Sequence, residues 1–370
     1  MKIRSVLLAI LFMTHFAYAN DCEKINDQAK QVMEQNNITG MAVAIINQNQ
    51  IAFCNYGYTN KNKKEPITNK SIFEIASITK TFTALLAGIA VSEHRLDLDA
   101  PITKYIPELL VNKNYTAINT KELLTHVAGL PLGFEQSSTE KELIKSSVNM
   151  KFTTKPASYY RYSNPGIALA GLAMTRIYHT NYQSLLDVLI LDKLGMKYTS
   201  INVSDKHKNL TVTGYNAKGE PQRFMQIGIE NPAGGLKSNT YDLAQYLQLQ
   251  IGQQDPKLRQ ALAIVHKNYF CLDQNGTYQQ LAWEFHPISE LAEQFQADTK
   301  NRNILVPRQL PTHCKTSENG FIDKTGNSSG MTSYIGYIPS KKIGVVILSN
   351  NALKPDIVNL GRSVLRKTIT

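Results

Sequence analysis

Residues 73–93 read FEIASITKTFTALLAGIAVSE. From Ile78 to about Glu93 the stretch is almost wholly apolar and about four helical turns long, and a helix that is hydrophobic on all sides is buried in a core. Ser77 and Lys80 stand three residues apart at its start, so they share one face of the helix. The stretch therefore predicts a buried helix that opens with a serine and a lysine side by side.

Short β-prone runs lie near both ends of the chain. Residues 41–46 and 51–58 form one predicted hairpin, and residues 332–338 and 343–350 form another. Amphipathic helices are predicted at 23–36 and 355–369. Joining the hairpins into one antiparallel sheet, covered by the terminal helices, would bury the apolar face of each element.

The middle of the chain, from about 95 to 230, reads as helices and loops. The predicted helices there are 121–127, 139–149, 166–180 and 182–194, and another over 238–251 has Asn239 or Thr240 as its cap. The predicted fold class is α/β (α+β), an antiparallel sheet flanked by helices plus an all-helical lobe. The α/β lobe would comprise about 20–90 and 233–370, the helical lobe about 91–232, and the cleft between them would suit a small-molecule site.

The first nineteen residues have the pattern of a secretory signal peptide. A positive start (Lys2, Arg4) precedes the apolar run Val6–Met13 and a small-x-small pattern that ends at Ala19. The alternative, a membrane anchor, needs about 20 apolar residues, and this run is interrupted at Thr14. We therefore expect cleavage after Ala19, a periplasmic location and a mature protein, residues 20–370, without membrane insertion.

Composition excludes several classes of function. Removing residues 1–19 takes away Lys2 and Arg4 and no acidic residue, so the net charge falls from +11 to +9. The lysines are scattered and no nucleic-acid-binding motif is present, so a solvated basic surface is favoured over nucleic-acid binding. The histidines show no metal-ligand spacing, and we expect no metal or cofactor. We expect a monomer.

Four cysteines, Cys22, Cys54, Cys271 and Cys314, lie in the mature chain. Export would expose them to oxidising conditions. Three pairings are possible, and the sequence cannot choose among them. Position along the chain favours Cys22–Cys54 and Cys271–Cys314.

Three short motifs could carry chemistry. A serine hydroxyl needs a neighbouring base to become a nucleophile, and Lys80 can be that base for Ser77 if burial and nearby cations depress its pKa. Tyr162-Ser163-Asn164 offers a phenol that can relay a proton, and Lys324-Thr325-Gly326 offers a cation, a hydroxyl and a close backbone approach. Each motif alone is also typical of an ordinary capped helix end or turn. Their joint presence points to nucleophilic catalysis.

Taken together and in this order, the motifs resemble those of the serine β-lactamase and penicillin-binding protein superfamily, closest to class C β-lactamases and their esterase and peptidase relatives. The resemblance runs from about residue 23 to 366 and implies an α/β sandwich with an all-helical lobe. It also implies a role for each matching residue. Ser77 would be the nucleophile, Lys80 its base or proton partner, and Tyr162 the proton relay. Asn164 would bind the acyl amide, Lys324 and Thr325 the anionic group, the backbone N–H groups of Ser77 and Asn327 would form the oxyanion hole, and Tyr215 would be an aromatic wall.

Three positions depart from the class C pattern. Gly133 stands where a glutamine usually helps to bind the acyl amide, and Pro355 and Val358 stand where carboxylate ligands are usual. The first hypothesis is a serine β-lactamase acting on small β-lactams. The second is a D-alanyl-D-alanine peptidase or esterase acting on a peptidoglycan-related substrate. The third is a non-catalytic binding or regulatory protein.

Four further residues receive structural interpretations. Glu74 is interpreted as a structural carboxylate, and His126 as a core or hydrogen-bonding histidine in preference to a general base. Trp283-Glu284 reads as part of a buried strand.

Overall fold

The computed structural model describes residues 21–48, 50–135, 137–252, 256–293, 307–352 and 355–369. The predicted signal peptide, residues 1–19, lies outside them. Within the described ranges no helix has both the length and the apolar character needed to span a bilayer.

The strands include five of seven or eight residues and several of two to four residues. They are β1 Gly40–Asn47, β2 Gln50–Gly57, β3 Phe73–Glu74, β4 Tyr159–Tyr160, β5 Gly214–Tyr215, β6 Pro221–Gln222, β7 Lys237–Ser238, β8 Phe270–Cys271, β9 Tyr278–Gln279, β10 Glu284–Pro287, β11 Arg308–Gln309, β12 Gly320–Asn327, β13 Thr332–Ile338 and β14 Ile343–Ser349.

The helices are distributed over the whole described chain. They are α1 at 21–35, α2 Thr79–Ser92, α3 Thr120–Leu124, α4 Glu140–Asn149, α5 Asn164–Ile177, α6 Tyr182–Leu186, α7 Asp192–Leu194, α8 Asn231–Gly234, α9 Thr240–Gln250, α10 Pro256–Val265, α11 Glu290–Glu293 and α12 Pro355–Ile369. A π-helical turn, Asp187–Leu191, joins α6 to α7, and Asn239 caps α9 by accepting a hydrogen bond from the backbone N–H of Asp242.

The two predicted hairpins form and join as expected, but the sheet is larger than four strands. Its order within the described residues is β2-β1-β14-β13-β12-β10-β9-β8, with all pairs antiparallel. Lys324-Thr325-Gly326 lie inside β12, a strand that the sequence analysis did not predict. This strand was missed because two adjacent charged residues, Asp323 and Lys324, are both buried in it, which breaks the usual apolar-polar alternation.

Alternation along β1 places the core on both faces of the sheet. Met41, Val43 and Ile45 pack with α1 and α12, as the sequence predicted for the terminal helices. Ala42 and Ala44 face the opposite way, into the larger cluster that contains α2 and α9. Successive side chains of a strand point to opposite faces, so one strand anchors both layers.

Both favoured disulfides are present. Cys22–Cys54 ties α1 to β2, and Cys271–Cys314 ties β8 to the segment before β12.

The stretch from about 91 to 232 contains α3–α7, together with the short strands β4, β5 and β6, so it is not exclusively helical. Its treatment as a separate lobe stays a prediction.

Candidate active site

Ser77 lies in the 3₁₀ turn Ala76–Ile78, between β3 and the buried helix α2. Ala76, directly before it, has φ of +44°, a conformation that strains a residue with a Cβ. The neighbouring Ile75 is held at both polar groups. Its N–H donates to the carbonyl of Leu236 at 3.1 Å, and its carbonyl accepts from Ser333 Oγ at 2.9 Å. These contacts hold the turn so that Ser77 remains half-exposed at the N-terminus of α2.

Lys80 is fully buried, and its ammonium is directed at the serine. Nζ donates to Ser77 Oγ at 3.0 Å and to the carbonyl of Ala233 at 2.6 Å. Burial lowers the pKa of Lys80; Tyr162 opposes this shift, and the charge of Lys324 adds to it. A buried lysine with a lowered pKa can exchange a proton with Ser77, as the spacing of the two residues predicted.

Tyr162 lies between two lysines. Lys80 Nζ is 4.9 Å and Lys324 Nζ 5.4 Å from the centre of its ring. Burial raises the pKa of Tyr162, but the charges of Lys324 and Lys80, with hydrogen bonds to Ser77 and Lys80, outweigh it and bring the pKa down to about 8. A phenol with this pKa can take and return a proton near neutral pH.

Strand β12 brings Lys324 and Gly326 against the serine turn. A Cβ added at Gly326 would lie 2.3 Å from the carbonyl oxygen of Ile75 and from Ser333 Oγ, and 3.2 Å from the backbone nitrogen of Ser77. Only glycine allows this approach. The Ser77 N–H therefore lies beside the end of β12, which is compatible with the predicted oxyanion hole completed by Asn327.

The other predicted ligands lie next to these groups along the chain. Asn164 is the first residue of α5, two residues after Tyr162, and its N–H donates to the carbonyl of Leu132 at 3.0 Å. Thr325 is half-buried between Lys324 and Gly326, and Asn327 is exposed at the end of β12. The structure thus places Ser77, Lys80, Tyr162, Lys324 and Gly326 together, and the three predicted ligands lie next to members of this group along the chain.

Tyr215, the predicted aromatic wall, is buried. Its side chain is 3% exposed, and its hydroxyl accepts a hydrogen bond from the backbone N–H of Lys61 at 2.8 Å. Lys61 Nζ also covers the ring at 4.2 Å. Tyr215 therefore fixes the loop that carries Lys61, and its role as an aromatic wall stays a prediction.

The departures from the class C pattern have clear structural consequences. Gly133 is exposed, and a Cβ built on it would meet no atom within 4 Å. Pro355 begins α12, and Val358 is buried in the cluster between α1, α12 and the sheet. An apolar side chain in that core cannot bind a carboxylate.

Several groups that contact Lys80 or the turn before Ser77 were not identified from the sequence. The Ala233 carbonyl binds Lys80, and a backbone carbonyl leaves no signal in a sequence. Ser333 Oγ binds the Ile75 carbonyl, and this position of Ser333 becomes visible only from the register of β12 with β13. Glu230 is half-buried and accepts a hydrogen bond from Ser137. Burial raises the pKa of Glu230, although that hydrogen bond and the charge of Lys80 oppose the shift. Within the described ranges no cluster of His, Cys, Asp and Glu could hold a metal ion.

Glu74 and His126 have the structural positions expected of them. Glu74 accepts a hydrogen bond from the backbone N–H of Met225, and His126 is buried and accepts one from the backbone N–H of Ser163. Trp283 is buried directly before β10, which begins at Glu284.

Known proteins resemble this chain over nearly its full length. It is 34% identical over 345 residues to a beta-lactamase of Pseudomonas fluorescens, an alignment that covers 90% of this chain and 94% of the relative. It is 28% identical to a beta-lactamase of Escherichia coli K12, covering 94% of each chain.

Solved structures show the same fold. A class C beta-lactamase in complex with cefoxitin superposes with a TM-score of 0.88 at 28% identity, covering 95% of this chain and 99% of the other. A beta-lactamase/D-alanine carboxypeptidase from Pseudomonas syringae superposes with a TM-score of 0.84 at 30% identity, covering 95% and 99%. The family model described as Beta-lactamase matches residues 25–365, and the chain therefore belongs to the beta-lactamase family.

Proposed function

We propose that this protein is a class C-like serine β-lactamase that opens the β-lactam ring through an acyl-enzyme on Ser77. The observation that carries the proposal is the 3.0 Å hydrogen bond between Lys80 Nζ and Ser77 Oγ, with the Tyr162 ring close to both Lys80 and Lys324. A nucleophile, a base with a lowered pKa and a second proton carrier are the groups that acyl transfer requires.

Acylation begins when the Lys80–Tyr162 pair has lost one proton. The pair accepts the hydroxyl proton of Ser77 as Oγ attacks the carbonyl carbon of the ring amide. The negative charge that develops on the carbonyl oxygen is stabilised by the backbone N–H groups of Ser77 and Asn327. The C–N bond then breaks, and the same proton passes through Tyr162 to the leaving nitrogen.

Deacylation repeats this proton transfer with water. The pair accepts a proton from a water molecule that attacks the ester carbonyl, and it returns that proton to Ser77 Oγ as the C–O bond breaks. The product is the ring-opened acid, and the enzyme returns to its starting state.

Binding of the substrate anion is assigned to Lys324 and Thr325. Lys324 is 7% exposed, so the attraction of its charge for an anion is screened less than that of a surface lysine. Asn164, at the start of α5, is assigned to the acyl amide. Cleavage of residues 1–19 and action in the periplasm as a monomer belong to the same proposal.

Mass spectrometry with benzylpenicillin, followed over time and combined with nitrocefin hydrolysis, tests the proposal. We expect an adduct on Ser77 that forms and decays while nitrocefin is hydrolysed. Ser77→Ala should lose both signals, a fall of at least about 10³-fold in rate. Ser92→Ala, at the other end of α2, is the matched control and should retain both. An unchanged rate in Ser77→Ala would refute the mechanism.

A second candidate, a D-alanyl-D-alanine carboxypeptidase or esterase with the same nucleophile, is favoured by two observations. Gly133 leaves open the place of one amide ligand, and Val358 is buried where a carboxylate ligand is usual. One of the similar solved structures is also described as a beta-lactamase/D-alanine carboxypeptidase. Turnover of a D-Ala-D-Ala peptide or a p-nitrophenyl ester, together with a penicillin adduct that does not decay, would select this candidate.

A further inference from the structure

His126 lies against the proposed proton relay, although the mechanism above gives it no role. The centres of the His126 and Tyr162 rings are 4.2 Å apart, and the planes are inclined by 31°. Tyr160 packs edge-on against the same imidazole at 5.9 Å. His126 is 2% exposed, so its ring forms one wall of the space in which the Tyr162 ring sits.

His126 also binds the backbone on both sides of Tyr162. Its carbonyl oxygen accepts a hydrogen bond from the N–H of Arg161 at 2.7 Å, and its Nδ1 accepts one from the N–H of Ser163 at 3.2 Å. One residue therefore holds the backbone before the tyrosine, the backbone after it and the face of its ring.

The hydrogen bond from the Ser163 N–H defines the tautomer of the His126 imidazole. A ring nitrogen that accepts a hydrogen bond carries no proton, so Nε2 carries the proton of the neutral ring. Nε2 is buried and has no hydrogen-bond partner among the described residues. Burial and the charges of Lys80 and Lys324 lower the pKa of His126, which keeps the ring neutral and able to accept.

The backbone conformation at position 126 limits which residues can replace His126 without strain. Its φ is +61°, in the left-handed region, where asparagine, aspartate and histidine occur more often than other non-glycine residues. Asparagine can place a side-chain oxygen where Nδ1 lies but has no ring to pack on Tyr162. It therefore separates the hydrogen bond from the ring contact.

We propose that His126 is a positioning residue that holds the Tyr162 phenol in line with Ser77 and Lys80, by fixing the backbone on both sides of Tyr162 and supporting its ring. The inference rests on the proposed function, because it requires Tyr162 to carry protons in the reaction. His126 itself touches neither the substrate nor the transferred proton.

A double-mutant cycle with purified full-length protein and nitrocefin tests the inference. His126→Ala should lower kcat about 30-fold while KM changes less than threefold, because the relay is misplaced and the substrate ligands are not. In the Tyr162→Phe background the same change should alter kcat less than twofold, since no phenol remains to be positioned. His126→Asn should recover kcat to within about fivefold of the wild type, because the acceptor for the Ser163 N–H is restored.

The matched control is His266, another buried histidine, whose ring contacts Gln250, Gln280 and Tyr337. His266→Asn should lower Tm without changing kcat per folded molecule, as expected of a purely structural role. If His126→Ala slows Tyr162→Phe as much as it slows the wild type, His126 acts independently of Tyr162 and the inference is wrong.

The rate of Tyr162→Phe and the folding of His126→Ala are also informative. A Tyr162→Phe variant with the wild-type rate would refute the proposed relay itself, which distinguishes failure of the function from failure of the inference. If His126→Ala does not fold, the cycle is run with His126→Asn. A fall in kcat that is equal in the wild type and in Tyr162→Phe would then overturn the inference.

Discussion

Asp323 and Lys324 are neighbours in β12 and both are buried, yet they belong to two different clusters. Adjacent residues of a strand point to opposite faces of a sheet. Asp323 faces the layer of the C-terminal helix α12, and Lys324 faces Tyr162 and the serine turn. The two clusters show what separates a charged group that stabilises a fold from one that serves a reaction.

The Asp323 cluster is paired throughout. Arg362 Nε donates to Asp323 at 2.6 Å, and Tyr334 donates to the same oxygen at 3.0 Å. His286 lies 3.3 Å from the other oxygen and 3.2 Å from Glu290. Burial would raise the pKa of Asp323, but the charges of Arg362 and His286 outweigh it and hold this pKa well below its usual range.

The Lys324 cluster is arranged differently. Lys80 and Lys324 both lie near the Tyr162 ring, and Lys80 Nζ donates to the Ser77 hydroxyl and to the Ala233 carbonyl. No carboxylate forms an ion pair with either lysine among the described residues. Positive charge without such a partner keeps protons mobile, because it lowers the pKa of the groups around it. The comparison predicts opposite responses when a charge is removed from each cluster.

The largest effect is expected for Lys80→Met, which removes the unpaired charge but keeps the volume. Activity towards nitrocefin should fall at least about 10³-fold, because Ser77 loses its base. The free energy of unfolding should stay equal or rise, since a buried charge is replaced by an apolar group. Urea denaturation and steady-state kinetics measure the two quantities. A stability loss above about 2 kcal/mol would show that the lysine also supports the fold.

Asp323→Asn should show the reverse behaviour. The change removes the negative charge that faces Arg362, and breaking such a buried ion pair costs about 3–5 kcal/mol. The activity per folded molecule should change less than threefold, because Asp323 faces away from Tyr162. Urea denaturation measures the loss of stability, and activity measured at urea concentrations below the unfolding transition gives the activity of the folded protein. A large loss of kcat in the folded fraction would contradict the separation of the faces.

A smaller effect is expected for the pH dependence in Lys324→Met. The Lys80–Tyr162 pair must lose one proton to act, so kcat/KM should rise with pH towards the pKa of Tyr162, about 8. Lys324 lowers the pKa of Tyr162, so its removal should shift this limb to higher pH. The pH profile of nitrocefin hydrolysis measures the shift. A limb that moves to lower pH would contradict the assigned electrostatics.

The smallest effect concerns the pH dependence of stability. Burial lowers the pKa of His286, but Asp323 and Glu290 outweigh it and the net shift is upwards. The charged form is therefore favoured on folding, and its contribution is present below about pH 6.5 and is lost as pH rises through the raised value. His286→Gln should flatten the fall in unfolding free energy above pH 6.5, measured by urea denaturation at several pH values. An unaltered slope would indicate that His286 does not titrate with folding.

The comparison also explains how far the sequence could be interpreted. The terminal hairpins, the terminal helices and buried α2 follow from local periodicity, and the motifs indicated Ser77, Lys80, Tyr162 and Lys324. Strand β12 could not be recognised, because its buried charges are stabilised by residues distant in sequence, such as Arg362. The short strands β8 and β9 are only two residues long and have no periodicity to detect.

The same limit applies to two positions whose surroundings depend on residues distant in sequence. Tyr215 matched a motif, but its burial depends on the loop that carries Lys61. His126 was recognised as a buried histidine, whereas its contact with Tyr162 appears only when the two loops are brought together.

The pairing of β1 with β14 has a consequence for the timing of assembly. Met41 lies opposite Ser349, so the centre of the sheet joins residues about three hundred positions apart. Gly326 and Ser333, which hold the turn before Ser77, also come from the last fifty residues. Such distant contacts form late, because the intervening chain must first be closed. For most of its synthesis, a growing chain therefore contains Ser77 without the residues that hold the turn before it. Catalytic competence is reached only when the final strands have been added.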